Sequence, residues 1–256
     1  MLVPGLASVT FRALSVPRVV DLARSCGLWT VEWAGDVHVP VHDLAGARDA
    51  RDRCADAGLS VSAYGSYYRA GVTDPVEWPA AVAVATELGA PRIRVWAGTA
   101  GSAGTSAGQR SRVVSAIRDA ARFAEDYGIR IALEHHRGTL TDTLESANRL
   151  HAEVGHGSVV PYWQPRGGQD AASAVEEVRT LLPRLTTAHV FSWGAGGGRD
   201  RLPLAARADL WRPVLAELAR DGVDRHVLLE FVADDSPERF REDAAVLLSW
   251  VNAAAG

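Results

Sequence analysis

Short apolar runs alternate with longer amphipathic segments along the whole chain. The runs are rich in aliphatic and β-branched residues, which predicts strands, and the segments repeat apolar residues with the helical period. The predicted strands are Gly5–Thr10, Thr30–Trp33, Ser60–Tyr64, Arg92–Trp96, Arg130–Glu134, Ser158–Trp163, Thr187–Ser192 and Val227–Phe231. The predicted helices are Val16–Ser25, His42–Ala57, Pro75–Leu88, Gln109–Tyr127, Thr143–Val154, Ala171–Leu182, Asp209–Asp221 and Pro237–Ala254.

These segments make eight strand–helix units, and such units fold into either a closed barrel or an open doubly wound sheet. Over 256 residues they average 32 residues each, the length that a βα unit needs. The open sheet usually carries a GxGxxG pattern after its first strand, and this chain has none. No linker or composition break divides the chain. The sequence therefore predicts an α/β fold, a single (β/α)8 TIM barrel forming one domain over residues 1–256.

Glycine marks the predicted ends of five helices. Each of these glycines directly follows an apolar-periodic run, where a helix C-terminus favours a residue that adopts a left-handed conformation. They are Gly27, Gly58, Gly89, Gly128 and Gly222.

Composition narrows the classes of function. The chain is 47% hydrophobic and 23% charged with a net charge of −4, which is typical of a globular protein and argues against a nucleic-acid partner. All 27 basic residues are arginine, which excludes lysine Schiff-base chemistry and a P-loop. The N-terminus does not resemble a signal peptide and no apolar run is long enough for a membrane span. We therefore expect a cytoplasmic protein with no membrane partner.

Ionisable residues occur where three of the predicted strands end. Glu134 ends the fifth strand and Glu230 lies near the end of the eighth, each directly after aliphatic residues, and His189 lies on the seventh. A carboxylate in such surroundings needs a charged partner or a metal ion. Two glutamates and a histidine form an oxygen and nitrogen ligand set that suits Mn²⁺, Mg²⁺, Co²⁺ or Zn²⁺.

Aromatic residues cluster at the same ends. Trp33, Trp96, Trp163 and Trp193 lie at or just beyond strand ends, and Tyr64 ends the third strand. Indole rings with polar neighbours suit the C–H faces of a sugar or an aromatic ring, so we expect these residues to line a substrate pocket. The alternative is that they only pack the top of the barrel.

Four further polar residues are candidates for substrate contacts. Glu32 and His38 lie at and beyond the second strand, and His38 is either a substrate contact or a solvated loop residue. Arg12 either binds a carboxylate or phosphate or forms a structural ion pair. His136 shares a strand face with Glu134, because side chains alternate along a strand, and is predicted to face the pocket.

The strand-end residues resemble those of the xylose isomerase-like TIM-barrel family of sugar isomerases and epimerases. The family's metal ligands are a glutamate after the fifth strand, an aspartate after the sixth, a histidine or glutamine on the seventh and a glutamate after the eighth. Glu134, His189 and Glu230 match this set. The sixth position departs from it, because the family's Trp-Asp-Pro is Trp163-Gln164-Pro165 here. By resemblance, Gln164 is the fourth metal ligand and holds the divalent ion more weakly, since it carries no charge.

The resemblance implies a divalent-metal-dependent isomerase or epimerase acting on a small carbohydrate. Glu134 and Glu230 would hold the ion and move a proton on the carbon next to a carbonyl. Two alternatives stay open: a lyase or dehydratase on a sugar-derived substrate, and a non-catalytic ligand-binding barrel that has lost its metal. Family members are often oligomers, so a homo-oligomer is also expected.

Overall fold

Eight strands form a closed parallel barrel and follow one another around it in chain order. The structure, a computed structural model, describes residues 1–254. Its strands are β1 (Leu2–Ala7), β2 (Thr30–Ala34), β3 (Ser60–Arg69), β4 (Arg92–Trp96), β5 (Arg130–Glu134), β6 (Val159–Trp163), β7 (Thr187–Val190) and β8 (Arg225–Leu229). The predicted (β/α)8 fold is confirmed.

One α-helix follows each strand within the described residues. The helices are α1 (Val16–Ser25), α2 (Leu44–Asp56), α3 (Trp78–Leu88), α4 (Ala107–Glu125), α5 (Leu144–Val154), α6 (Ala171–Leu181), α7 (Ala208–Ala219) and α8 (Pro237–Ala254). None of the helices in residues 1–254 is long and apolar enough to cross a membrane.

Local chemistry explains where several helices begin and end. Ser106 and Gln109 form a reciprocal capping box at the start of α4, and the Ser236 hydroxyl accepts hydrogen bonds from the first turn of α8. The five glycines predicted to end helices all have positive φ, between 68° and 73°. A side chain would strain the backbone in that conformation, which explains why glycine occupies these positions.

Two strand boundaries differ from the prediction in ways that affect the site. β1 ends at Ala7 rather than Thr10, because Ser8–Phe11 forms a short 3₁₀ helix and the Thr10 hydroxyl donates back to the Ala7 carbonyl. β8 ends at Leu229 rather than Phe231, because the Phe231 backbone turns to a φ of 54°. Glu230 therefore lies directly after its strand.

The chain divides into two compact units, both discontinuous in sequence. Unit 1 contains Met1–Glu32, Arg53–Ser60 and the chain from Pro165 onward, and unit 2 contains Trp33–Asp52 and Val61–Gln164. The single domain expected over residues 1–256 stays a prediction.

Candidate functional site

A histidine lies between two carboxylates in unit 1. His189 Nε2 is 3.5 Å from Glu32 Oε1, and His189 Nδ1 is 3.5 Å from Glu230 Oε2. Their exposed fractions are 0%, 2% and 5% for His189, Glu32 and Glu230. Carboxylates this deeply buried need polar or charged partners, and the His189 ring lies within 3.5 Å of both. An imidazole between two carboxylates is a group that can exchange a proton with one of them.

Strand register fixes the positions of these three residues: His189 lies on β7, Glu230 directly after β8, and Glu32 in the middle of β2. His189 pairs with Leu228 across β7 and β8, and the Glu230 amide donates to the Val190 carbonyl at 3.0 Å. Glu32 pairs with Ala7, the last residue of β1. The backbone hydrogen bonds of the sheet therefore hold the group, rather than a mobile loop.

The segment after Glu230 adopts strained backbone conformations. Phe231, Asp234 and Asp235 have φ of 54°, 59° and 49°, values that residues with a Cβ adopt at a cost of about 1 kcal/mol or more each. The Phe231 amide donates to the Thr10 hydroxyl at 3.1 Å, which holds the first of these turns. Strain of this kind clusters at functional sites because the surrounding structure must maintain it.

A cavity of about 230 Å³ adjoins this segment. Arg12, Arg201, Phe231 and Asp235 contribute to its lining. Arg201 pairs with Asp235 and its guanidinium lies 4.8 Å from the Phe231 ring centroid. Trp193 stacks on Phe191 at 4.0 Å. The predicted substrate roles of Arg12 and Trp193 stay predictions, and both side chains keep access to solvent.

In unit 2, Glu134 is held by two donors. Arg94 Nη1 and the Trp96 indole nitrogen both donate to Glu134 Oε2. The side chains of Arg94 and Glu134 are each only 4% exposed, so this is a buried ion pair. The guanidinium balances the charge of the carboxylate and fixes its orientation.

Trp96 is also the centre of an aromatic and cationic group. The Arg69 guanidinium lies 4.1 Å from the Trp96 ring centroid, and the rings of Tyr67 and His136 lie at 5.2 and 5.5 Å. His136 and Glu134 thus contact the same tryptophan, and the predicted pocket role of His136 stays a prediction. Arg69 forms no ion pair among the described residues, so its charge is available to an anion.

Gln164 is turned towards the backbone of the preceding strand-end segment. Its Nε2 donates to the His135 carbonyl at 2.9 Å, and its Oε1 accepts no hydrogen bond within residues 1–254. That oxygen can accept a hydrogen bond from a substrate hydroxyl.

These contacts do not fit the four-ligand metal cage that the family resemblance implies. Glu134 already has a guanidinium as its counter-charge, and Gln164 contributes no charge. Among the described residues, no group of three or more His, Cys, Asp or Glu side chains is arranged to hold a metal ion. Glu32 and Glu230 lie beside opposite ring nitrogens of His189, so the three side chains do not converge on one position through that ring.

Several predicted pocket residues are buried in the protein interior. Trp33 and Trp163 are 0% exposed, and the expectation that four tryptophans line a substrate pocket stays a prediction. Tyr64 is also 0% exposed, donates to the Val39 carbonyl, and its burial raises the pKa of its hydroxyl. His38 is buried against the Trp33 ring. Burial of this kind is also what the alternative interpretation, packing at the top of the barrel, predicts.

Two arginines of the site were not predicted from the sequence. Arg94 lies two residues before Trp96 on β4, so strand alternation places both side chains on one face. An arginine in the middle of a buried strand was therefore the available signal. Arg69 had no such signal, because β3 runs on to Arg69 instead of ending at Tyr64.

Comparisons with known proteins agree with the fold. The family model described as xylose isomerase-like TIM barrel matches residues 20–250. The structure of the probable 3-DHS dehydratase AsbF from Bacillus anthracis is 21% identical, with a TM-score of 0.83 and coverage of 97% of this chain and 99% of that one. The structure of an L-ribulose 3-epimerase is 14% identical, with a TM-score of 0.78 and coverage of 99% and 96%.

A third similar structure contains a metal ion. It is a xylose isomerase-like TIM-barrel protein from Mycobacterium smegmatis in complex with magnesium, 17% identical, with a TM-score of 0.71 and coverage of 96% and 92%. No curated protein matches the chain. At identities this low, the similar structures establish the fold and not the reaction.

Proposed function

Because the chain belongs to the xylose isomerase-like TIM barrel family, we propose that it is an isomerase or epimerase acting on a sugar or sugar derivative. The observation that supports this most is His189, buried with a carboxylate 3.5 Å from each ring nitrogen. Isomerases and epimerases of this kind need a base beside a group that can hold the proton. Glu230, at the end of β8, is the proposed base.

The proposed reaction moves one proton. The Glu230 carboxylate takes the hydrogen as a proton from the carbon next to the substrate carbonyl, and the electron pair of the C–H bond passes to the carbonyl oxygen, giving an enediolate. Glu230 can pass the proton to His189, whose other ring nitrogen faces Glu32. Return of a proton to the same carbon on the opposite face gives the epimer, and return to the neighbouring carbon gives the isomer.

Glu134 is the second proposed acid–base group, and it remains a prediction from the family resemblance. Its contacts with Arg94 and Trp96 favour the ionised carboxylate and hold it rigidly. No step of the proposal passes through a metal ion, since the contacts of Glu134 and Gln164 do not fit the predicted cage. The predicted homo-oligomer and cytoplasmic location also remain predictions.

A dehydratase acting on a substrate with a carboxylate group is the second candidate. Proton abstraction is the same, but the electron pair then expels the hydroxyl group of the next carbon, which takes up the proton removed by the base and leaves as water. Arg69 favours this candidate because its planar guanidinium is stacked on Trp96 and suits a carboxylate. The probable dehydratase among the similar structures is consistent with such a reaction.

Deuterium incorporation tests the proposal. The protein is incubated in D₂O with a panel of ketoses and keto acids that carry hydroxyl groups, and the products are analysed by mass spectrometry. We expect a gain of one mass unit in at least one compound, and loss of this exchange in Glu230→Gln. The matched control is Glu217→Gln, a buried glutamate of α7 that pairs with Arg179 and Arg220. If no compound exchanges with the parent protein, the ligand-binding alternative replaces the enzyme.

A further inference from the structure

We propose that Arg94 takes, beside Glu134, the place of the divalent metal ion that the family resemblance implies, so that this chain functions without such an ion. The proposal rests on the proposed function only for the reaction that is carried out. The Arg94 guanidinium is assigned as the permanent counter-charge of Glu134 from the contacts within unit 2.

Both members of the Arg94–Glu134 pair are buried. Arg94 and Glu134 are each 4% exposed, and a carboxylate at that depth must have a compensating positive charge. The Arg94 guanidinium supplies one, and the Trp96 indole N–H donates to the same oxygen. A metal ion bound to Glu134 would have to compete with both donors.

Backbone register between β4 and β5 brings Arg94 and Glu134 together. Arg94 aligns with Ala132 and Val95 with Leu133 across β4 and β5. Glu134 therefore lies two residues beyond the partner of Arg94, on the same face of the barrel wall, where a long arginine side chain can reach it. The guanidinium also lies 5.5 Å from the Trp96 ring centroid, which favours a cation at that position.

The charges around Glu134 disfavour a divalent cation. A divalent cation next to a buried guanidinium is repelled by it, and the low dielectric of the interior strengthens that repulsion. Gln164 replaces the family's aspartate, so the charge that would offset the repulsion is missing. Arg94 and Gln164 therefore have the same effect, because each lowers the affinity of these residues for a cation.

Calorimetric titration of the full chain with Mn²⁺, Mg²⁺, Co²⁺ and Zn²⁺ tests this directly. The protein is first treated with EDTA, desalted and checked for metal content by mass spectrometry. We expect no saturable binding that depends on Glu134 at concentrations up to about 1 mM. Saturable binding below about 1 mM that persists in Glu134→Gln would place an ion at other residues and would contradict the proposal that the chain functions without one. Saturable binding below about 1 mM that is lost in Glu134→Gln overturns it.

A gain-of-binding variant tests the role of Arg94 itself. Arg94→Met combined with Gln164→Asp removes the guanidinium and restores the family's carboxylate, so Mn²⁺ should bind at least about tenfold more tightly than to the parent. Arg92→Met with Gln164→Asp is the matched control, because Arg92 lies on the same strand but donates to the Ser62 carbonyl. A folded Arg94→Met/Gln164→Asp protein that binds Mn²⁺ no better than this control contradicts the proposal.

These measurements need no substrate, so their outcome is distinct from that of the proposed function. Glu134-dependent metal binding would overturn the inference and leave the isomerase or epimerase proposal intact. Absence of deuterium exchange would overturn the proposed function, while the titrations would still decide whether Arg94 replaces the ion.

Discussion

His189 has a carboxylate beside each of its ring nitrogens, and the two carboxylates have different proposed tasks. Glu230 exchanges protons with the substrate, whereas Glu32 keeps the imidazole in place through the other nitrogen. A carboxylate that orients an acid–base histidine affects the rate although it does not touch the substrate.

Glu32→Gln should therefore lower kcat at least about tenfold while changing KM little. The amide keeps the size of the side chain but removes the charge that the imidazole faces. The pH dependence of kcat should also change, which a purely structural role would not produce. Steady-state kinetics beside Glu217→Gln measures both effects, and an unchanged pH profile together with unchanged kcat would contradict the role given to Glu32.

Arg69→Gln separates the two candidate substrate classes. Arg69 packs on Trp96 and forms no ion pair among the described residues, so its loss should cost no more than about 1 kcal/mol of stability. For a substrate that carries a carboxylate, KM should rise at least about tenfold. For a neutral sugar it should stay nearly constant. If the KM for a substrate with a carboxylate is the same in Arg69→Gln and the parent, Arg69 does not bind the substrate.

Candidate site residues could be predicted from the sequence where they lie at or near the ends of predicted strands. Glu134, His189 and Glu230 were predicted as buried ionisable groups because each lies at or near the end of an aliphatic run. Their partners could not be predicted in the same way. The Arg94 contact depends on β4–β5 register, and the burial of Trp33 depends on packing that no local pattern specifies.

Arg225 illustrates how one side chain stabilises several connections at the other end of a strand. It begins β8, is 1% exposed, and donates to the carbonyls of Leu182, Leu185 and Leu218. It also pairs with Asp221, and this hydrogen bond holds the pKa of the Asp221 carboxyl well below its usual range.

Arg225→Met should lower the free energy of unfolding by about 3–5 kcal/mol, because it leaves three carbonyls and a carboxylate without their donor. Asp221→Asn should cost less, since the three carbonyl contacts remain. Urea unfolding of both variants measures the difference. Equal losses in the two variants would mean that the carbonyl contacts contribute nothing.

Asp243 of α8 gives a prediction about pH. Its Oδ1 accepts the Leu204 amide, and burial raises the pKa of the Asp243 carboxyl from 3.8 to about 6. The folded state therefore holds a proton more tightly than the unfolded state, and this group favours folding less as pH rises from about 4 to 6.

In Asp243→Asn that part of the pH dependence should disappear. The asparagine oxygen can still accept the Leu204 amide, so the variant should be at least as stable as the parent at pH 7 and lose its advantage near pH 4. Thermal or urea unfolding between pH 4 and 7 provides the comparison. If the free energies of unfolding of parent and variant change with pH in parallel, the raised pKa of Asp243 is contradicted.

Among the elements, helices were predicted more accurately than strand ends. The bounds of α1 and α8 agree with the prediction, because their apolar periodicity and start signals lie in the local sequence. β1 and β8 were placed too far along the chain by up to three residues. Their ends depend on the Thr10 hydroxyl, which contacts both Ala7 and Phe231, residues from opposite ends of the chain.

For the whole molecule, the repeat of strand and helix was sufficient to predict the closed barrel. Eight units of similar length and the absence of a dinucleotide-binding glycine pattern left one architecture. The metal site was the part that family resemblance could not settle. Three of four ligand positions match the family pattern, but a single arginine on β4 changes the charge around Glu134.

The central claim is that side chains of this protein, and not a bound metal ion, move a proton on a carbon next to a carbonyl. Solvent deuterium exchange with EDTA-treated protein of verified metal content tests it most directly. We predict an exchange rate that 1 mM Mn²⁺ changes by no more than about twofold, and a loss of at least about 100-fold in Glu230→Gln. Exchange that is absent in EDTA and restored by Mn²⁺, or that survives in Glu230→Gln, would contradict the account.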